Sequence, residues 1–235
     1  MMGERLDKFL SSQGFGTRKE VGKLIRGGAV AVDGVPQRDP AAKIDPAAAV
    51  TVEGRPVQYQ KYLYIMMNKP AGVLSATEDR RQRTVLDLLP EDLRRRGLFP
   101  AGRLDKDTTG FLLITDDGDL AHRMLSPKKH VYKMYRADLD GPVTEEDVRA
   151  FQQGVCWEEE QYAPARLWTQ EDDPAIVFVE IREGRFHQVK RMFEARGKQV
   201  IALKRLKIGG LALDDTLQEG ECRLLEPEEI GQIFH

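Results

Sequence analysis

The segment Gly102-Arg-Leu-Asp-Lys-Asp-Thr-Thr-Gly110 runs directly into Phe111-Leu-Leu-Ile114. A short, uninterrupted apolar run bounded by turn residues is a strand buried on both faces. The chain must therefore close a sheet and a core around it. An Asp in the loop that feeds such a strand is held on a rigid scaffold, as a reactive carboxylate needs to be. The plainer reading is a polar turn in which Asp105 or Asp107 caps a backbone amide. The apolar runs Leu63–Met67 and Phe111–Ile114 are far shorter than the ~18 residues of a membrane span.

The rest of the chain supplies the partners for such a strand. Further strands are predicted over Tyr62–Met67, Val131–Leu139, Ile176–Ile181 and Val200–Leu206. Helices are predicted over Asp119–Leu125, after the Thr144-Glu-Glu-Asp147 box, over Phe186–Arg196 and over Pro227–Phe234. This mixture gives an α+β domain. The first 58 residues have a different order. Leu6, Phe9 and Leu10 share one helical face, and Thr17-Arg-Lys-Glu20 is a capping box for a second helix. That helix turns Val21, Leu24 and Ile25 inward and Lys19, Lys23 and Arg26 outward, and it stops at Gly27-Gly28. Strands around Ala29–Val32 and Val50–Gly54 follow, the first turning at Asp33-Gly34. Pro56 punctuates a linker, so residues 1–58 form one domain and 59–235 another.

Charge sharpens the functional reading. The 235 residues carry 36 Lys+Arg against 38 Asp+Glu, a net of −2, which taken as a total argues against a nucleic-acid partner. Locally the balance reverses. Residues 182–207 hold nine Lys/Arg against two Glu, and residues 80–103 hold seven Arg against three acids. Acidic residues collect instead in 144–160 and 214–230. Separate basic and acidic blocks favour a one-sided binding surface over a set of ordinary solvated faces. Cys156 and Cys222 stand apart with no ligand spacing, and the start has no apolar signal core. A reducing, cytoplasmic setting without a disulfide framework or a metal site is expected.

Two more segments carry candidate chemistry. In His130-Val-Tyr-Lys-Met-Tyr-Arg136, strand alternation puts Lys133 and Tyr135 on one face. There they can meet a phosphate and stack on a base, unless this is simply an amphipathic edge strand. In Arg182-Glu-Gly-Arg-Phe-His-Gln-Val-Lys-Arg-Met-Phe193, helical periodicity puts Phe186, Val189, Met192 and Phe193 in the core. Lys190 falls at the margin of that face, and Arg191 points away from it. A half-buried ammonium needs an anion, and the carboxylate loop at Asp105 is the candidate. His187 reads as structural, donating to a nearby carbonyl.

The N-terminal layout resembles the small alpha-L RNA-binding domain of ribosomal protein four type. The matching stretches are Arg5-Leu-Asp-Lys-Phe-Leu, Arg18-Lys-Glu, Ile25-Arg-Gly-Gly and Val30-Ala-Val-Asp-Gly. Gly102-Arg-Leu-Asp105 with Thr108-x-Gly-Phe-Leu-Leu-Ile-Thr, His122 to Pro127-Lys, Lys133-x-Tyr135, Glu183 to Phe193, and Ile208-Gly-Gly resemble, in order, the motifs of pseudouridine synthases. Over nearly its full length the chain resembles the RsuA/RluB/RluE/RluF family, most of all its RsuA subfamily, through His187-Gln188-Val189-Lys190. Phe111, where leucine is usual, and Asp116, where Asn is common, depart from the pattern.

The resemblance implies a catalytic domain with a mixed, largely antiparallel sheet. It implies isomerisation of uridine to pseudouridine in 16S ribosomal RNA of the small subunit, by a monomer, with neither cofactor nor metal. Asp105 is then the essential carboxylate, either adding covalently or taking a ribose proton to give a glycal. Lys190 replaces the family's more usual Arg as its basic partner. Tyr135 stacks on the uracil, Lys133 supports the strand or a phosphate, and Arg103 fills the gap left by the flipped base. Arg185, His187, Gln188 and Arg191 contact substrate RNA, while Arg18, Lys19, Lys23 and Arg26 hold RNA phosphates and shape. A target in 23S RNA, or a non-catalytic ribosome-assembly factor, are the alternatives. A retaining glycosidase would need a second carboxylate ~5 Å away, and it would leave the RNA-binding unit idle.

Overall fold

A computed structural model describes residues 4–45, 47–57, 60–126, 129–170 and 172–235. Pro127 and Lys128, part of one quoted motif, lie outside the described residues, as does the expected domain join at 58 and 59. The chain forms two compact units. The first is Met1–Tyr62 with Pro90–Leu98; the second is Leu63–Leu89 with Phe99–His235.

In the first unit, β1 (Glu4–Arg5) leads into α1 (Leu6–Ser12) and α2 (Arg18–Arg26). Then come β2 (Val30–Val32), β3 (Val35–Pro36), β4 (Lys43–Ile44), β5 (Val50–Val52) and β6 (Arg55–Pro56). The predicted capping box is present: Glu20 N–H donates to Thr17 Oγ1 at 3.3 Å, and Thr17 N–H to Glu20 Oε2 at 2.8 Å. Leu6, Phe9, Leu10, Val21 and Ile25 interlock with Val30, Ile44, Val50 and Val52 in one core. Full burial of each large apolar side chain contributes about 1.5–3 kcal/mol. Asp33-Gly34 and Glu53-Gly54 all have positive φ, the geometry that matches the strand twist of the two hairpins they close. These produce a four-stranded sheet in the order β3-β2-β5-β6.

The second unit runs β7 (Tyr64–Lys69), β8 (Phe99–Ala101), β9 (Thr109–Thr115), α3 (Gly118–Leu125), β10 (Lys133–Leu139) and α4 (Glu145–Gln153). It continues with β11 (Cys156–Trp157), β12 (Glu160–Gln161), β13 (Arg166–Thr169), β14 (Ile176–Ile181), α5 (Gln188–Glu194), β15 (Val200–Ile208), β16 (Leu211–Ala212), β17 (Cys222–Leu224) and α6 (Pro227–Gln232). Among the described residues the main sheet is ordered β13-β14-β10-β15-β9-β7-β17, with β16 on β15 and β8 on β9. Its pairings are antiparallel except β15 with β9. That parallel contact fixes Gly110. A Cβ there would lie 2.3 Å from the carbonyl oxygen of Arg205, and its φ is +97°, so only glycine fits.

The apolar run does become a buried strand, with Phe111 to Ile114 all fully buried. Phe111 and Leu113 pack with Met66, Ala101, Met124 and Ile233. Both departures from the family pattern have structural work: Phe111 fills the core, and Asp116 Oδ1 accepts the Leu63 N–H at 2.8 Å. Two expectations change. β10 lies between β14 and β15 and is an interior strand, not an edge. The predicted helix over Phe186–Arg196 starts only at Gln188, because His187 adopts a left-handed conformation, φ 53°. Phe186 is consequently not a core residue but 67% exposed.

Candidate active site

The Asp105 loop is pinned from beneath on both sides. Ser75 Oγ donates to Leu104 O at 2.9 Å and accepts the Leu104 N–H at 3.1 Å. Lys69, wholly buried at the end of β7, donates to the carbonyls of Pro70, Lys106 and Thr108 at 2.9, 3.2 and 2.9 Å. Clamped at 104 and 106, Asp105 has little freedom. Burial among carbonyls pushes the Lys69 ammonium down to about 8, against the pull of Asp107 and Asp105. Neither clamp was read from the sequence. The available signal for Lys69 was a charge two residues after the apolar run Leu63–Met67, before Pro70.

α5 brings the basic partners. Lys190 Nζ stands 3.6 Å from Asp105 Oδ2, and His187 Nε2 stands 3.5 Å from Asp105 Oδ1. The Asp105 loop is thus the anion that Lys190 required. Its shorter bonds, however, go to Asp107, at 2.6 and 2.8 Å to the two carboxylate oxygens. The Lys190 hydrogen bond holds Asp107 below the usual carboxylate range. Asp107, offered by the sequence only as a residue that could cap a polar turn, is the closer anchor of Lys190.

Lys133 and Tyr135 point to the same side of β10, as the alternation required, and both are buried. Tyr135 pairs in register with Arg205 of β15. Arg205 is 2% exposed. Its Nε donates to Phe111 O at 2.7 Å and its Nη2 to Gly102 O at 2.6 Å, while Nη1 lies 3.4 Å from the Tyr135 hydroxyl. One guanidinium therefore ties β9, β10 and the start of the Asp105 loop together. Sequence reasoning counted Arg205 only as one charge in a basic block. The missed signal is its place two residues after inward-facing Leu203 on a strand. Burial, then the neighbouring Arg205, push the Lys133 ammonium down to about 8.

A cleft of about 650 Å³ opens over this floor, lined by Arg103, Asp105, Lys133, Tyr135, His187 and Arg205 among others. Arg103 is exposed at its wall. Three further candidates of the 182–193 segment, Arg185, Gln188 and Arg191, are engaged within the protein. Gln188 is buried and donates to Glu183 Oε2 at 3.1 Å. Arg185 pairs with Glu160 at 3.0 Å and donates to Gln161 O. Arg191, off the core face of α5, is held by the β11–β12 hairpin. It lies 3.5 Å from Glu160, with its guanidinium 4.4 Å from the centre of the Trp157 ring. In the first unit, Arg18 donates to buried Asp7 at 2.9 Å, whereas Lys19, Lys23 and Arg26 form the exposed face of α2. Among the described residues no group of three or more His, Cys, Asp and Glu side chains is placed to hold a metal, and no helix is long and apolar enough to cross a membrane.

A carboxylate aimed into a cleft, with two basic side chains at ion-pair distance and a buried aromatic on the floor, can attack or deprotonate a sugar held there. The similarities point the same way. Residues 63–195 match the RNA pseudouridylate synthase family, and residues 4–50 match the S4 domain. YtzG of Bacillus subtilis, described as an uncharacterized RNA pseudouridine synthase, is 49% identical over 230 residues, covering 96% of each chain. Ribosomal small subunit pseudouridine synthase A of Vibrio cholerae is 44% identical, over 98% of this chain and 99% of its own. The Escherichia coli K12 protein of that name is 42% identical, over 97% and 99%. A crystal structure of a pseudouridylate synthase aligns over 97% of this chain and 99% of its own, with a TM-score of 0.67 and 38% identity. With a family match spanning most of the catalytic unit and relatives covering nearly the whole chain, the protein belongs to the RNA pseudouridine synthases, with an S4 domain ahead of the catalytic domain.

Proposed function

We propose that the protein converts one uridine of 16S ribosomal RNA, free or in an assembling small subunit, to pseudouridine. It works as a cytoplasmic monomer without cofactor. The observation that carries this reading is Asp105, held in the cleft wall between Lys190 at 3.6 Å and His187 at 3.5 Å, above buried Tyr135. The named small-subunit relatives support the choice of RNA.

The reaction breaks the bond from uracil N1 to the anomeric carbon and forms one from carbon 5 to that carbon. The proton on carbon 5 is lost and N1 gains one, so product and substrate are isomers. Asp105 either adds to the sugar or removes a ribose proton to give a glycal; both routes use a carboxylate oxygen that faces the cleft, with Lys190 3.6 Å away. The target must leave the base stack, at about a few kcal/mol. Tyr135 would receive the uracil face, Lys133 an oxygen of the nucleotide, and Arg103 the space vacated. Arg185, Gln188 and Arg191 would act chiefly by shaping the wall that presents His187, and Lys19, Lys23 and Arg26 by docking the first domain, residues 1–58, on phosphates. The test is pseudouridine mapping after reaction with 16S and 23S transcripts and with subunit particles. One modified uridine in the small-subunit RNA is expected; modification confined to 23S RNA would overturn the target.

A further inference from the structure

Phe186 is a large apolar ring, 67% exposed, set between Arg185 and His187, both of which line the catalytic cleft. The left-handed backbone at His187 turns it out of the core that Val189, Met192 and Phe193 fill. The ring lies nearly parallel to the His187 imidazole, centres 3.7 Å apart at 19°. The Arg191 guanidinium stands 5.1 Å from its centre and 4.4 Å from that of Trp157. A series of π-faced groups therefore runs outward from the catalytic carboxylate: His187, Phe186, Arg191, Trp157. An aromatic left open to water at a cleft rim, inside a segment with nine Lys/Arg and two Glu, is suited to one kind of surface. It fits an unpaired nucleobase carried by an anionic backbone. Every base has a π-face, so such a platform tolerates sequence while demanding an unstacked strand.

We propose that Phe186 is a stacking platform for a nucleobase flanking the target uridine. It makes the enzyme select an RNA whose target has an unpaired neighbour, as in a loop or bulge. This rests on the catalytic reading above and adds a recognition element to it. The platform fixes the neighbour at the rim while the target enters the cleft, and its contact is made in substrate binding.

The test is a cycle between protein and RNA. Pseudouridine formation and equilibrium binding are measured on a short RNA spanning the modified uridine, either intact or abasic at one flanking nucleotide. Phe186→Leu keeps an apolar side chain, and Phe186→Tyr keeps the ring. On intact RNA, Phe186→Leu should raise Kd and KM about 10-fold, within the range for a base–aromatic stack, with kcat nearly unchanged. Phe186→Tyr should stay within about 2-fold of wild type. Wild type should lose the same factor on RNA abasic at one flanking position, and Phe186→Leu should lose nothing more there. If Phe186→Leu binds intact RNA as wild type does, or if the two losses multiply at every position, the platform is overturned, because a ring that only props His187 would act equally on every RNA. Absence of product from wild type would instead strike the catalytic reading, while the binding half of the cycle would still decide the platform.

Discussion

Asp7 of the first unit and Asp105 of the second each have two basic side chains beside them, and they are held in opposite ways. Asp7 is saturated. Arg5 donates to both its oxygens at 3.0 and 2.8 Å, and Arg18 adds a bond at 2.9 Å. The Arg5 hydrogen bond, helped by Arg18 against the cost of burial, lowers its pKa to about 2. Asp147 follows the same rule: burial alone would push it up, but bonds from Thr144, Arg196 and Lys198 hold it at about 2. Asp105 has its partners at 3.5 and 3.6 Å, and the nearer bonds of Lys190 are taken by Asp107. Scaffold carboxylates are closed off by their cations, whereas the cleft carboxylate keeps its lone pairs open to a substrate. Lys133 extends the contrast, as a buried ammonium beside Arg205 rather than beside an anion. Asp7 and Asp147 are neutralised where they sit, whereas Lys133 in the cleft is kept with no anion among the causes of its shift, at a cost to stability.

The contrast can be broken most decisively at Asp105. Asp105→Asn should lower pseudouridine formation by at least about 10²-fold while leaving RNA binding and thermal unfolding close to wild type. Full activity in product mapping would remove Asp105 from its role. Next is Lys133→Met, which should stabilise the protein at pH 7 by about 1–3 kcal/mol and impair turnover. Lys133 loses its proton near 8 in the folded state but near the ordinary Lys value when unfolded, so wild-type stability should rise between those values. The advantage of the Met variant should shrink over the same window in denaturant titrations, and a pH-independent gap would contradict the assignment.

Asp7→Asn should cost about 1–2 kcal/mol at neutral pH, discounted because both arginines are half exposed. The Asp7 pKa is lower folded than unfolded, so its contribution is full above about 5 and should fade as pH falls through about 2. Unfolding curves of wild type and variant should converge in that range; a constant separation would mean that the loss is one of packing. The smallest effect is expected on α2. Replacing Lys19, Lys23 and Arg26 together by Ala should flatten the log–log salt dependence of RNA binding by about 2–3 units, with catalysis on a minimal substrate intact. An unchanged slope would show that this face does not meet phosphate.

Much of this was legible in the residues themselves. The Thr17-Glu20 and Thr144-Asp147 boxes, the Asp33-Gly34 turn and the strand Ile176–Ile181 are local features, decided by neighbours a few positions away. The alternation that placed Lys133 and Tyr135 together is equally local. The reading failed where a local pattern was overruled. Phe186 has helical spacing with the core residues Val189 and Phe193, yet the left-handed His187 delays α5 and turns the ring outward. Arg191 has the spacing of a solvated position, yet Trp157 and Glu160 of the β11–β12 hairpin capture it.

By itself the sequence determined the longer strands and helices, the two-part composition of the chain and the carboxylate loop set before a buried strand, but not the short strands β8, β11, β12, β13, β16 and β17. Periodicity, capping and turn chemistry act over one or two turns of chain, so they can be read in order. Only the tertiary structure decided which charges share a site. Lys190 meets Asp107 across 83 positions, and Arg205 meets Gly102 across 103. Such pairings depend on strand order and on a parallel contact that needs Gly110. The energy of a buried cation is set by what packs around it, and no local pattern in the chain records that.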